Sequence, residues 1–421
     1  MIEGTEARPT AKPSALMTQY LRIKAQHQQA VLLFRLGDFY EMFHEDARDA
    51  SAVLDLTLTA RNRGEPDEIP LCGFPAHAAA PYITRLLAAG RTVAICEQAT
   101  PVRGRGIKDR EVVRVITPGT IMEEDSLAPG APSWLVGVAT EGAAVALAAI
   151  DFAAGTFRTT EIVGWDAARE ELARLAPREL LLAVDLPADI RAACTAPGHP
   201  WAVAPLPPAN DNGAPESTLV GRVAGGLLAY VDATYRRRPA HLRAPEAYEV
   251  AGFLQLDAAT RRNLELLETT SGERRGSLLW VLDDTRTPMG ARLLRERILY
   301  PVVDPVRIGA RLDAIEELVE RADVRTQLAD ALQGIGDLER LAGRLGARSA
   351  GPRDLMAIAQ ALDHASTLRT LTSGAHSARL VDAGPALDPL PAGVAQIRGT
   401  LGEAPPPHTR IAGFIRGGHH P

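Results

Sequence analysis

Lysine is almost missing from this chain: of its 46 basic residues only Lys12, Lys24 and Lys108 are lysines, and none follows a glycine. A Walker A loop uses Gly-Lys to wrap and neutralise nucleotide phosphates, so that kind of nucleotide site is excluded within these 421 residues. Cysteine is equally scarce. Cys72, Cys96 and Cys194 stand apart with no CxxC pair, which excludes a disulfide framework and a thiolate zinc site and fits a reducing cytoplasm. Long apolar runs are missing too. The smoothest, at 143–150, is about eight residues against the ~20 needed to cross a bilayer, so no transmembrane segment is expected. Glu3, Glu6 and Pro9 interrupt any reading of the first residues as a signal peptide.

What is present supports folded domains. The chain is 46% hydrophobic and 23% charged with no long polar block, so it should bury sizeable cores in two or three domains. Its net charge is −6. Any binding to a polyanion must therefore come from a local basic patch rather than from the molecule as a whole.

Hydrophobic spacing divides the chain into three regions. After a stretch at 1–12 expected to be disordered, Leu16, Met17, Tyr20 and Leu21 predict an amphipathic helix over 13–27. A buried strand at 30–34 breaks at Gly37-Asp38. A helix carrying Phe43, Ala47, Ala50 and Leu54 follows, then a strand at 56–59 and a polar turn at 61–68. A helix at 79–89 ending on Gly90, strands at 92–97 and 111–116, and a Gly/Arg-rich loop at 101–108 complete an α/β domain over 13–125. Residues 126–132 read as a linker. Strands at 134–139, 144–151 and 156–162, a helix at 166–175, a strand at 179–184 and a long helix at 219–235 make a second α/β unit over 133–245. Beyond it the pattern is helical almost alone, with helices expected at 305–321, 324–332, 336–347 and 354–371. Residues 246–421 thus predict a partial all-α region, whose apolar helix faces are expected to lack some of their partners.

The segment Phe34-Arg35-Leu36-Gly37-Asp38-Phe39-Tyr40-Glu41-Met42-Phe43 crowds aromatic and acidic residues onto a strand-to-helix turn. In an extended chain Phe39 and Glu41 point to one side and Tyr40 to the other. An exposed Phe beside a carboxylate makes a wedge and reader for a nucleic-acid base. Driving such a wedge into a base step costs least where pairing is already poor. The ordinary alternative has Phe39 and Phe43 in the core and Glu41 capping a helix or facing solvent.

Gly37-Asp38-Phe39-Tyr40-Glu41-Met42-Phe43, residues 70–78, Val93-Ala94-Ile95-Cys96-Glu97-Gln98 and Val112-Val113-Arg114-Val115-Ile116-Thr117-Pro118-Gly119-Thr120 resemble the mismatch-recognition domain of the MutS family of DNA mismatch-repair proteins. The similarity continues through 248–267, Arg275-Gly276-Ser277-Leu278-Leu279-Trp280-Val281-Leu282-Asp283 and Thr287-Pro288-Met289-Gly290-Ala291-Arg292-Leu293-Leu294, in the family's order. The resemblance implies that Phe39 stacks on a mispaired base, that Glu41 hydrogen-bonds it, and that Tyr40 packs behind. A carboxylate against DNA also repels intact duplex, which adds discrimination. The resemblance further implies anchoring of the DNA backbone by Arg61 and Arg63 in one loop and by Arg105 and Lys108 in the other, which also holds Arg103 and Arg110. Such contacts position a duplex without reading it. The plain alternative is a solvated charged loop. Ala76 departs from the family, which has Tyr there, so one aromatic contact is expected to be lost.

For 133–245 the resemblance implies an RNase H-like connector that contacts the repair protein MutL, and for 246–421 a partial core or lever domain. The family's clamp, its ATPase and most of its dimer interface belong after this portion. No cofactor and no ATP hydrolysis are therefore expected of this chain alone, whereas ATP and Mg serve the full-length family. It is either a piece of a longer ATPase or a short product that binds without turnover. Expected partners are double-stranded DNA with mismatches or small loops, MutL, and a second copy without the main dimer interface. No membrane partner is expected, and the expected location is the cytoplasm, at the nucleoid. Two rival classes stay open. One is a protein-interaction adaptor whose wedge domain holds DNA too weakly. The other is an RNase H-type nuclease, in which Asp151 at a strand end would begin a two-metal site; Glu161 and Glu179 are its only candidate partners, and a strand-end Asp is ordinarily a turn former.

Overall fold

A computed structural model describes residues 14–65, 68–98, 109–123, 126–209, 218–235, 239–406 and 412–418; the stretch 1–12 expected to be disordered lies outside them. Helix α1 (Ala15–Gln26) begins where the Ser14 hydroxyl accepts a hydrogen bond from the Met17 amide at 3.3 Å, satisfying one of the free amides of the first turn. Strands β1 (Ala30–Leu36), β2 (Phe39–Phe43), β3 (Thr59–Arg61), β4 (Ile69–Pro75), β5 (Thr92–Gln98) and β6 (Arg110–Ile116) form a six-stranded sheet in the order β3-β4-β2-β1-β5-β6. β1 and β5 run parallel and the other neighbours antiparallel. Alternation sorts the strands onto two faces. Val31, Leu33, Tyr40 and Met42 pack under α2 (His44–Leu54) and α3 (Ala79–Ala88). Leu32, Phe34 and Phe43 pack under α1, where Tyr20 meets both phenyl rings edge-on.

Two features of this sheet differ from the sequence reading. Residues 39–43 are a full strand rather than part of a turn, and β4 occupies a stretch with no strand assigned to it. Pro70, Gly73 and Pro75 lower its intrinsic preference. Pairing with β2 on one side and β3 on the other overrides that preference.

The second sheet contains β7 (Trp134–Glu141), β8 (Ala144–Asp151), β9 (Thr156–Val163), β10 (Glu179–Leu182), β11 (Ala202–Pro205) and β12 (Glu246–Ala247), in the order β11-β10-β7-β8-β9-β12. β7, β8 and β9 are an antiparallel meander, while β10 runs parallel to β7, β11 to β10 and β12 to β9. Helices α4 (Trp165–Leu175) and α5 (Ala188–Thr195) cover one face, and α6 (Leu219–Tyr235) covers the other through Val223, Leu227 and Val231. Gly137 lets α6 approach: a Cβ there would lie 2.1 Å from the Leu227 side chain. The sequence reading left out α5 and β11. Both are short and flanked by proline or glycine, which blunts their periodicity.

The remainder is helical: α7 (Ala258–Asn263), α8 (Leu278–Leu282), α9 (Pro288–Leu299), α10 (Pro305–Glu320), α11 (Ala322–Gln333), α12 (Leu338–Gly346), α13 (Pro352–Thr372), α14 (Ala378–Ala386) and α15 (Pro391–Thr400). α13 is the spine, with α11, α12, α14 and α15 against it. Asp257, Ser277, Thr287, Asp304 and Asp337 cap α7, α8, α9, α10 and α12 through their side chains. Ile308, Leu312, Ile315 and Val319 stand exposed along α10 at helical spacing, an apolar stripe of the kind expected for this region.

Buried polar groups tie the regions together. Glu171 on α4 accepts hydrogen bonds from Tyr248 and Tyr300 at 2.7 Å each and pairs with Arg174 at 3.1 Å. Arg114 on β6 donates to the Tyr235 hydroxyl at 2.8 Å. From the helical region, Arg292 and Arg340 both donate to backbone carbonyls of residues 128–131.

Candidate nucleic-acid interface

Leu36 pairs with Phe39 across a two-residue turn in which Gly37 has φ +58°, a left-handed conformation that glycine adopts without strain. The turn is braced from below. Arg35 Nε donates to the Gly37 carbonyl at 2.6 Å, and the Ala76 amide donates to the Asp38 carbonyl at 2.8 Å. The Arg35 guanidinium lies 5.4 Å from the Tyr40 ring centre and 3.9 Å from Glu97. Tyr40 is buried against Phe74 and donates its hydroxyl to Glu97; burial and that bond push its phenol up to about 12.

On this rigid root Phe39 is 46% exposed and Tyr40 6%. The alternation expected for an extended chain holds, and Phe39 is not a core residue. Phe43 is fully buried, so the ordinary alternative is right for one aromatic and wrong for the other. The side chains of α1 cover Phe34 and Phe43 on this face, whereas at its far end Phe39 is exposed and Glu41 half-buried.

Glu41 is half-buried and registers opposite Gly73 of β4. The glycine has a function that its sequence position did not reveal. A Cβ at Gly73 would lie 2.7 Å from the Tyr40 carbonyl oxygen and 3.3 Å from Glu41 Cγ, so the carboxylate side chain rests on bare backbone. We expect Gly73→Ala to push β4 off β2, costing about 1–3 kcal/mol as overpacking does. A urea titration of the purified variant with an unchanged midpoint would show that the strands absorb the methyl group.

Register also places Arg61, opposite Ile69, on the face that carries Glu41 and Phe39. Burial raises the Glu41 carboxyl above its ordinary value and Arg61 draws it partly back. Arg63 is exposed in the following turn, where Asn62 has φ +55° and Gly64 φ +83°. Thus Arg61 shares the wedge face, and Arg63 stands in the turn that follows it. Arg105 and Lys108 lie outside the described residues. Arg110, in contrast, is tied into the sheet, donating to the Arg35 carbonyl at 2.7 Å and lying 4.9 Å from the Phe34 ring. Ala76 opens a short turn after β4 and packs partly buried against the core.

The acids named for a nuclease do not converge. Asp151 is buried, with Ser133 and Ala154 amides at 3.4 and 3.3 Å, as a strand-end turn former would be. Glu179 is engaged by the Gly119 amide at 2.8 Å and the Tyr230 hydroxyl at 2.6 Å. Glu161 is five residues along β9 from Thr156, the partner of Asp151, hence about 17 Å away at 3.3–3.4 Å per residue. Among the described residues no group of three His, Cys, Asp or Glu is placed to hold a metal ion, and no helix is long and apolar enough to cross a membrane.

Comparison with known proteins matches residues 14–125 to the model of MutS domain I and residues 259–417 to that of MutS domain III. The DNA mismatch repair protein MutS of Anaeromyxobacter dehalogenans (strain 2CP-1) is 42% identical over 422 residues, covering 96% of this chain and 48% of that protein. That of Desulforamulus reducens is 40% identical, covering 87% and 45%. The MutS of Myxococcus xanthus is 38% identical, covering 100% and 50%. The chain spans about half the length of these relatives.

Proposed function

Because this chain belongs to the MutS family and carries its domains I and III, we propose that it is the mismatch-reading portion of a DNA mismatch-repair protein, binding duplex DNA at mispairs or small loops. The observation that carries this reading is a phenyl ring held in solvent at the tip of a braced hairpin, beside a half-buried carboxylate. A core residue would not be presented this way. Phe39 enters the base step and stacks, and Glu41 hydrogen-bonds the displaced base. Mispaired DNA kinks cheaply and repays the insertion, whereas regular duplex does not. Arg61 and Arg63, with Arg105 and Lys108 of the second loop, hold phosphates and set the register. The direct test is a titration of the chain against a G·T duplex and its matched counterpart at one salt concentration. Equal affinities would overturn the reading.

Glu41 adds a pH signature. Its carboxyl is already raised by burial, and DNA phosphates brought alongside raise it further. The complex then binds more protons than the free partners, so affinity for the mispair increases as pH falls through the interval between the free and bound pKa values. We expect G·T binding to tighten as pH is lowered from neutral toward the carboxylate range, and a flattened profile in Glu41→Gln. Parallel slopes in the two proteins would remove Glu41 from the proton count.

Within this proposal the second unit is an RNase H-like connector that engages MutL. A three-strand antiparallel meander followed by two parallel strands on the β7 side, with helices on both faces, supports that reading. We assign ATP and Mg to no residue of this chain, since none of its lysines follows a glycine.

A further inference from the structure

Helices α9, α10 and α14 bring Arg297, Arg307, Arg311 and Arg379 to the wall of a cavity of about 240 Å³, far from the hairpin of Phe39 in the chain. Among the described residues none of these four guanidiniums makes an ion pair or a side-chain hydrogen bond. Arg311 keeps a buried Nε–H with no acceptor. Two glutamates share the wall, Glu246 and Glu296, and Glu296 is already bound by Arg158 at 2.7 Å. Burial and the mutual proximity of Arg297, Arg311, Arg379 and Arg307 hold Arg297 and Arg311 below the ordinary arginine value, and Glu296 draws both only partly back. Arg292 and Arg344 of the same region are matched to acids, Asp337 and Asp354. Here, like charges from three helices face one another across a concavity.

We propose that this cavity is a phosphate-recognition site, taking a phosphate monoester or pyrophosphate group. One carboxylate has two oxygens and saturates a single guanidinium fork. Several forks around one small volume call for three or more acceptor oxygens and at least two negative charges. The same charge and oxygens can come from one free phosphorylated small molecule or, two neighbouring phosphodiesters at a time, from a nucleic-acid strand.

The probe is pyrophosphate, titrated calorimetrically into the full chain against sodium chloride of equal ionic strength. Saturable binding above the salt control is expected, weakened about tenfold or more in Arg311→Gln and in Arg379→Gln. Arg307→Gln and Arg379→Gln remove exposed, unpartnered charges, so their melting temperatures without phosphate should match or exceed the parent's, which keeps a loss of binding distinct from misfolding. Matched duplex DNA separates the sources. Weaker duplex binding by Arg379→Gln, with competition from pyrophosphate, assigns the strand backbone; unchanged duplex binding with lost pyrophosphate binding assigns a small molecule. No saturable binding together with unchanged duplex affinity, or pyrophosphate binding that survives all three substitutions, overturns the proposal.

Discussion

Phe39→Ala should erase the preference for a G·T mispair over matched duplex while leaving the fold intact. Stacking of a base on an aromatic ring is worth about 1–3 kcal/mol by alanine substitution, roughly 5- to 150-fold in affinity. In a wedge mechanism nearly all of that falls on discrimination, because only the mispaired step opens cheaply enough for the ring to enter. On the proposed reading, binding to matched duplex rests on phosphate contacts from residues such as Arg61 and Arg63 and should change little. The ring is 46% exposed, so its loss should cost no more than about 0.5 kcal/mol of stability. The hairpin is held by Gly37, Arg35 and the Tyr40–Glu97 bond, none of which needs the phenyl group. A variant that melts like the parent yet keeps its mispair preference would sink the wedge. One that loses both stability and preference would mean that Phe39 supports the hairpin instead.

The exposure of Phe39 and the burial of Tyr40 were legible in the sequence because their information is local. Alternation alone sets Phe39 and Glu41 against Tyr40, and Gly37-Asp38 marks the turn. The long helix α6 and the meander β7-β8-β9 were legible for a similar reason, as their periods run for many residues without a breaker. What escaped depends on neighbours distant in sequence. β4 exists because β2 and β3 flank it, despite Pro70, Gly73 and Pro75. The role of Gly73 follows from a register that no pattern within 69–75 encodes. α14 and α15 lie in a stretch where Pro385, Pro391 and several glycines weaken the helical signal, and α13 supplies the packing that holds them. Asp151 and Glu179 kept a nuclease reading open by residue type, and only the strand register separated them from Glu161.

The same dependence on distant partners makes Arg292→Ala the most damaging single change expected for the helical region. Arg292 is 8% exposed. Its guanidinium meets both Asp337 oxygens at 2.7 Å, Glu339 at 2.6 Å and the Pro129 carbonyl at 3.0 Å. Burial opposes its charge, but the bonds to Asp337 and Glu339 outweigh that and raise its pKa. Removing it leaves a nearly buried Asp337 carboxylate without its strongest partner, a change that costs about 3–5 kcal/mol where buried pairs are broken from one side. It also frees the segment 128–131 from one of its two arginine anchors, leaving Arg340 with the Ala128 and Ala131 carbonyls at 2.9 Å. Urea unfolding should show a large fall in midpoint, and limited proteolysis should begin cutting near 126–132. Arg292→Ala combined with Asp337→Ala should cost less than the two single changes added together, because the stranded charge is gone. Additive costs would mean that Arg292 and Asp337 act independently, with Asp337 contributing only as the cap of α12.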